Sequence, residues 1–355
     1  MLVSFVVALT IVKSVASSLL IADADNGVIR EYDGETGASR GVFASGGGLT
    51  SPAGMAMGPD GNLYVGDWDL KAVLRFNGRT GAFLGRFATA SNWIYSLTFG
   101  PDNNLYAGLA GGAIQRFNGV TGASLGYFTP PHHDFGGMSF HNGSLFVTYT
   151  VSPGQLYQYN GTNGAYMATI YSGFSGNGPR DPIFGPDGGL YVPDWQTPRV
   201  VKFDGTTLAY QGNFINDTNH SYPFALAFGP DGRFYVLDDQ VGGKASVNRY
   251  NFATGAFEAN FVAAGSGGLG RAEYMLFADI PHAPMVILAG AQRVFGVEAL
   301  QLTWTNSCPT CVLESAATLK SAWSTVVSDW VTNGNIVSTV VTSAGPSRFY
   351  RLRMN

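Results

Sequence analysis

One phrase recurs along this chain at intervals of 40 to 45 residues, and a repeat of that length limits the fold to an array of one small unit before any other feature is weighed. The clearest copy, residues 58–87, reads GPDGNLYVGDWDLKAVLRFNGRTGAFLGRF. Relatives begin at Gly100, Phe140, Gly185 and Gly229, and a copy without its head runs over residues 19–43. The same apolar position falls at Leu19, Leu63, Leu105, Leu145, Leu190 and Phe234.

Within each unit the apolar residues come in short β-rich bursts, such as NLYV (62–65), AVLRF (72–76) and FLGRF (83–87), with no helical period. Between them, GPDG (58–61) and the NG and TG pairs of residues 77–81 supply the positive φ angles of tight hairpin turns. Four short antiparallel strands in a unit of this length make a β-propeller blade. The copies predict an all-β chain with a six-bladed β-propeller over residues 19–282; seven blades is the alternative, if residues 285–297 add strands. The first copy starts at its second strand, LLIA (19–22), and a match to the missing innermost strand stands at YMLFA (274–278). Pairing these two closes the ring and leaves no open sheet edge there.

The two ends of the chain fall outside the repeat. Residues 2–12 form an apolar stretch of signal-peptide length, and VAS (15–17) has the small-residue pattern of a cleavage site. Residues 1–18 therefore read as a signal peptide, and the mature protein is expected to be secreted or held at the cell surface or envelope. The stretch is too short to span a bilayer, so no transmembrane span is expected in the mature chain. Residues 283–355 are rich in Ser, Thr, Val and Trp, with candidate strands at 300–304, 311–315, 323–327, 336–342 and 348–352. They predict a small C-terminal β-sandwich-like domain. Cys308 and Cys311 form a CxxC. Zinc would need two more ligands, and a redox CxxC belongs at a helix start. In an exported chain the expected state is a Cys308–Cys311 disulfide stapling a turn.

Composition narrows the partners. With 48 Gly, 13 % aromatic and only 12 % charged residues, the chain is turn-dense, with buried sheets. A net charge of −4 and the absence of basic clusters argue against nucleic acid as a partner. The recurring cations Arg75, Arg116, Lys202 and Arg249 fall on the third strand of their blades and read as a solvated sheet face.

The recurring GPDGxLYV (58–65, varied from 100, 185 and 229), the Asp closing the second strand and the RFNGxTGAxLG hairpin resemble the NHL-type and streptogramin-lyase-like six-bladed propellers of exported bacterial proteins. The resemblance covers residues 19–282. The Asp occurs at Asp23, Asp67, Asp194 and Asp238, with Leu109 and Tyr149 in its place in the other copies, and its expected job is to accept backbone hydrogen bonds in the turn to the third strand. LQLTW (300–304), VLESAATL (312–319), Trp323 and RFYRLR (348–353) look like a small terminal module of exported proteins from environmental bacteria. The resemblance implies the fold; such propellers host binding proteins, lactonases and lyases alike.

In a propeller the functional residues gather where the innermost strands begin, around the mouth of the central channel. Aligning copies on the GPDG turn puts Ala53, Tyr95, Phe135, Arg180, Phe224 and Glu273 in one column there, with Gly54, Ser96, Gly136, Asp181, Ala225 and Tyr274 beside it. The entering loops add Trp93, His132, His133, Asp134 and His220. The expected ligand-binding set is Trp93, Tyr95, Phe135, Arg180, Asp181, Phe224 and Glu273, a mixed aromatic and polar rim suited to a protein, glycan or small polar ligand. Such a binding or scaffold module needs no catalysis and no cofactor.

The alternative is a hydrolase or lyase, lactonase-like or streptogramin-lyase-like, holding one divalent cation at the same mouth. Its ligands would come from His133, Asp134, Asp181, His220 and Glu273. Against it, the Glu-Gly-Pro start of metal-dependent lactonases and the paired His and Glu of the streptogramin lyases are absent, and His132-His133 also reads as an exposed polar loop. For nucleophilic catalysis no GxSxG elbow stands between a strand and a helix, and the sequence offers no helix to host one. A third reading is a structural surface protein attached through its terminal module.

Overall fold

The computed structural model describes residues 17–280 apart from 218, 220–221 and 240–242, together with strand segments between 299 and 354. Residues 17–280 fold as one unit of six four-stranded antiparallel sheets. Blade 2 shows the plan: Pro52–Met57 innermost, then Leu63–Asp67, Ala72–Phe76 and Phe83–Thr89 outward. The repeated apolar position lies on the second strand of every blade, and all six of its residues are fully buried.

Blade 1 is assembled from both ends of the unit. Its innermost strand is Ala272–Asp279, paired antiparallel with Ser17–Asp23 so that Leu20 faces Leu276 and Leu19 faces Phe277. The ring therefore closes by pairing the first copy with the late YMLFA segment, as the headless copy predicted, and the blade count is six.

Each phrase of the repeat has a physical role at the end of the ring opposite the mouth. In GPDGxLY the Asp oxygens cap the turn: Asp60 accepts from the Asn62 N–H at 3.1 Å and from the Tyr64 hydroxyl at 3.0 Å. Asp102, Asp187 and Asp231 do the same for Tyr106, Tyr191 and Tyr235. In the next hairpin Asn77 accepts from Arg79 and Thr80, and Gly81 takes φ +68°. A Cβ there would stand 1.7 Å from the Phe43 carbonyl oxygen of the preceding blade, so the hairpin seats against its neighbour only with glycine at that position. In blade 5 Leu208 holds the equivalent position at φ +61°. The third-strand cations lie over aromatic rings: Arg75 over Phe87, Arg116 over Phe128, Lys202 over Tyr191 and Arg249 over Phe261. Their role is packing between strands.

At the mouth end, the four buried Asp residues do more than cap the turn to the third strand. Asp67 accepts from Leu70 N–H in that turn, and also from Thr50 and Ser51 N–H in the loop entering the blade. Asp194 and Asp238 receive Ser175 and Tyr222 N–H in the same way. One carboxylate thus ties two mouth loops together.

The remaining strands form two further sheets. Ile336–Thr342 lies between Ala299–Thr305 and Trp330–Asn333, and Cys311–Ala316 lies between Ser324–Thr325 and Phe349–Met354. Trp330–Asn333 was not among the expected strands. Residues 1–16, residues 285–297, Cys308 and the Cys311 side chain lie outside the described residues, and with them the signal-peptide and disulfide expectations.

Candidate functional site

Five of the six inner strands carry a register shift near their start, and these shifts build the site. In blade 3, Ile94 pairs with Leu109 and Ser96 with Gly108, so Tyr95 is an extra residue. Phe224 is extra in blade 6, between Pro223 and Ala225. Glu273 is extra in blade 1, between Ala272 and Tyr274. A bulged residue leaves the strict in–out alternation, and its side chain is re-aimed. Blade 5 goes further: Pro182 has no N–H for the ladder, the inner strand shrinks to Ile183–Phe184, and Pro179 makes one bridge to Asp194. Arg180 and Asp181 sit in this irregular stretch, ahead of the strand in which the alignment had put them.

Blade 4 departs from the expected column by one residue. Its first turn is Asn142-Gly143, both at positive φ, and the stretch between the paired Phe140 and Leu145 is one residue shorter than that between Met57 and Leu63, so the bulge falls on Gly136 instead of Phe135. Phe135 pairs with Tyr149 and is 1 % exposed.

These bulges open into a cavity of about 590 Å³ whose lining includes Tyr95, Phe135, Arg180, Phe224 and Glu273 from the expected set, with Asp134 on its edge. Trp93 stacks on Trp68 of the lining at 5.1 Å, 12° from parallel, and Tyr95 meets Trp68 edge-on at 4.4 Å. Asp181 turns away from the cavity. It is buried in the channel, where its Oδ1 accepts from the Ser96 hydroxyl at 2.6 Å and the Met138 N–H at 3.3 Å. Burial raises its pKa to about 7 against these bonds and the nearby Arg180.

The sequence reading missed a second ring of lining residues. Trp68, Thr150, Trp195 and Asp239 each follow the residue that closes a second strand. Their N–H groups donate to Ser51, Asp134, Gly178 and Tyr222 carbonyls, and Ala24 and Ala110 repeat the bond in the other blades. The signal was present: one position past the recurring Asp, the copies read Ala24, Trp68, Ala110, Thr150, Trp195 and Asp239. A column held by one backbone bond and free in its side chains is a display position.

The polar groups are unevenly satisfied. Arg271 donates to Glu273, whose carboxyl burial nevertheless raises its pKa. Asp239 is 6 % exposed, its Oδ1 has no hydrogen-bond partner among the described residues, and burial followed by the Glu273 charge lifts its pKa to about 6. Arg180 lies over both Trp195 and Phe224, at 4.9 and 5.0 Å from the ring centres. His132 and His133 are exposed and meet edge-on, and His132 stacks on Tyr149. His220 lies outside the described residues. Among the described residues no three His, Cys, Asp or Glu side chains group closely enough to hold a metal ion, so His133, Asp134, Asp181 and Glu273 are not brought together as a set. No described helix is long and apolar enough to cross a membrane.

No family model and no curated protein matches the chain. Solved structures do. A protein of unknown function from Bacteroides caccae aligns with a TM-score of 0.59 at 15 % identity, over 74 % of this chain and 98 % of that one. A chain of the nidogen/laminin complex aligns at 0.60 and 14 %, with the same coverages. Hydrazine synthase from Kuenenia stuttgartiensis aligns at 0.50 and 15 %, over 65 % of this chain and 73 % of that one. Identities this low carry fold and no more: residues 17–280 are a six-bladed β-propeller.

Proposed function

We propose that this protein is a non-catalytic binding module whose propeller mouth holds a small, hydroxyl-rich polar ligand, a sugar or the exposed end of a glycan. The observation that carries this reading is the convergence, on one cavity, of flat aromatic faces with side chains aimed out of the β ladder by bulges. Aromatic faces cover the apolar side of a sugar ring, while carboxylates and amides bond its hydroxyls. The expected export to the cell exterior suits a glycan partner, and the repeat phrases keep the NHL-type assignment as part of this reading. A panel of mono- and oligosaccharides titrated against tryptophan fluorescence tests it. Saturable binding that Trp195→Ala abolishes supports the site; no binding across the panel overturns it.

A second reading, cleavage of the ligand by a hydrolase or lyase, is favoured by one feature. Asp239, buried, and Glu273, half-buried, are carboxyl groups of raised pKa on the same cavity, as proton-transfer groups are. Product formed from a bound oligosaccharide, and lost in Asp239→Asn, would move the mouth from binding to catalysis.

A further inference from the structure

We propose that the ligand of this mouth carries a carboxylate, as a uronic acid does, and that Arg180 receives it through the edge formed by Nε and Nη2. The inference rests on the sugar-binding reading above and names the class of sugar.

Arg180 lines the cavity with its charge unanswered. Its Nη1 donates to the carbonyl oxygens of Asn177 at 2.8 Å and Pro179 at 3.1 Å, and no described residue accepts from Nε or Nη2. No carboxylate among the described residues lies within ion-pair distance of it. The acids whose charges reach it are engaged elsewhere: Glu273 by Arg271, Asp194 by Arg199 at 2.6 Å, and Asp181 by Ser96 and the Met138 N–H. Trp195 and Phe224 cover its guanidinium and remove water from around it. A guanidinium stays charged in any protein, so one that is desolvated and unpaired is held ready for an anion.

The shape of the vacancy selects the anion. With Nη1 occupied, the free N–H groups are those of one edge, a planar fork that matches a carboxylate in two parallel bonds. Asp134, Asp239 and Glu273 line the same cavity. They repel a dianionic phosphate more strongly than a singly charged carboxylate. The buried Oδ1 of Asp239, unpartnered among the described residues, marks a second unmet requirement, for a hydroxyl donor. One molecule with a carboxylate at one side and hydroxyls at the other meets both.

The test is calorimetric titration of the full chain with D-galacturonic and D-glucuronic acids and their trisaccharides, beside their methyl esters, the parent neutral sugars and the sugar 6-phosphates. The acid should bind about tenfold or more tighter than its ester, since the ester removes one charge-assisted pair and little else. Arg180→Lys, which keeps the charge and loses the fork, should narrow that gap severalfold while neutral sugars bind as before. The acid and ester comparison uses only the unaltered protein and decides the matter even where the variant does not fold. Equal binding of acid and ester, or an intact gap in Arg180→Lys, overturns this inference and leaves the mouth a sugar site. Tighter binding of the 6-phosphate than of the uronate overturns the carboxylate assignment. No binding of any sugar overturns both readings.

Discussion

The two ends of the propeller are made by the same strands and obey opposite rules. At the end away from the mouth, four of the first turns repeat one Asp–Tyr arrangement, and five of the six outer hairpins seat a glycine against the preceding blade. At the mouth, backbone bonds repeat in all six blades while the side chains they carry change from Ala to Trp to Asp. One end keeps its residues because each is fitted to a turn or a neighbour. The other keeps only its backbone scaffold, which leaves its side chains available for recognition.

Four changes would break or sharpen that contrast. The largest effect is expected inside the channel. The ordinary pKa of an aspartate is 3.8, and burial holds Asp181 near 7 in the folded protein. Between these values the folded chain keeps a proton that the unfolded chain gives up, so rising pH removes stability. Asp181→Asn keeps the Oδ1 acceptor and has no charge to bury. The wild type should lose up to roughly 4 kcal/mol relative to this variant as pH rises through the window. Unfolding midpoints of the two proteins at pH 4 and pH 8 check this, and parallel profiles would refute it.

Next in size is Gly81→Ala. Its Cβ would collide with the Phe43 backbone and its φ is unfavourable, so a loss of more than about 2 kcal/mol is expected in denaturant unfolding, with ligand capture unaffected in the folded fraction. Asp102→Ala at the same end removes the bonds from Asn104 and Tyr106 and should cost about 1 kcal/mol by the same measurement. Trp68→Ala at the mouth should move stability least, because its ring is only partly buried, yet weaken sugar binding about tenfold. A mouth substitution that destabilised the ring as much as Gly81→Ala would erase the distinction between the ends.

The same contrast explains what could be read from the amino-acid order. The blade count, the strands and the ring closure were legible, because the residues that set them, Leu19 to Phe234 at the apolar position and Asp60 and Gly81 in the turns, are constrained locally and recur. The mouth column was legible where the first turn keeps its length, at Tyr95 and Phe224, and at the seam, where YMLFA (274–278) matches the missing strand, at Glu273. It slipped at Phe135, where the stretch between the paired Phe140 and Leu145 is one residue shorter, a change that only the pairing register exposes. Asp181 looked like a neighbour of Arg180 at the rim, and the kinked backbone between Pro179 and Pro182 sends the two side chains to different places. Trp195 and Asp239 were overlooked because they lie past the end of the strand on which the alignment was anchored.

The seam in blade 1 ties recognition to completion of the chain. Glu273 and Arg271 reach the cavity on or beside the strand that latches the last repeat to the first. During synthesis five blades can form while the pocket still lacks a wall, and the wall arrives only when the ring locks. A ligand that grips this wall holds the latch shut, so occupancy should slow unzipping of the ring from its seam.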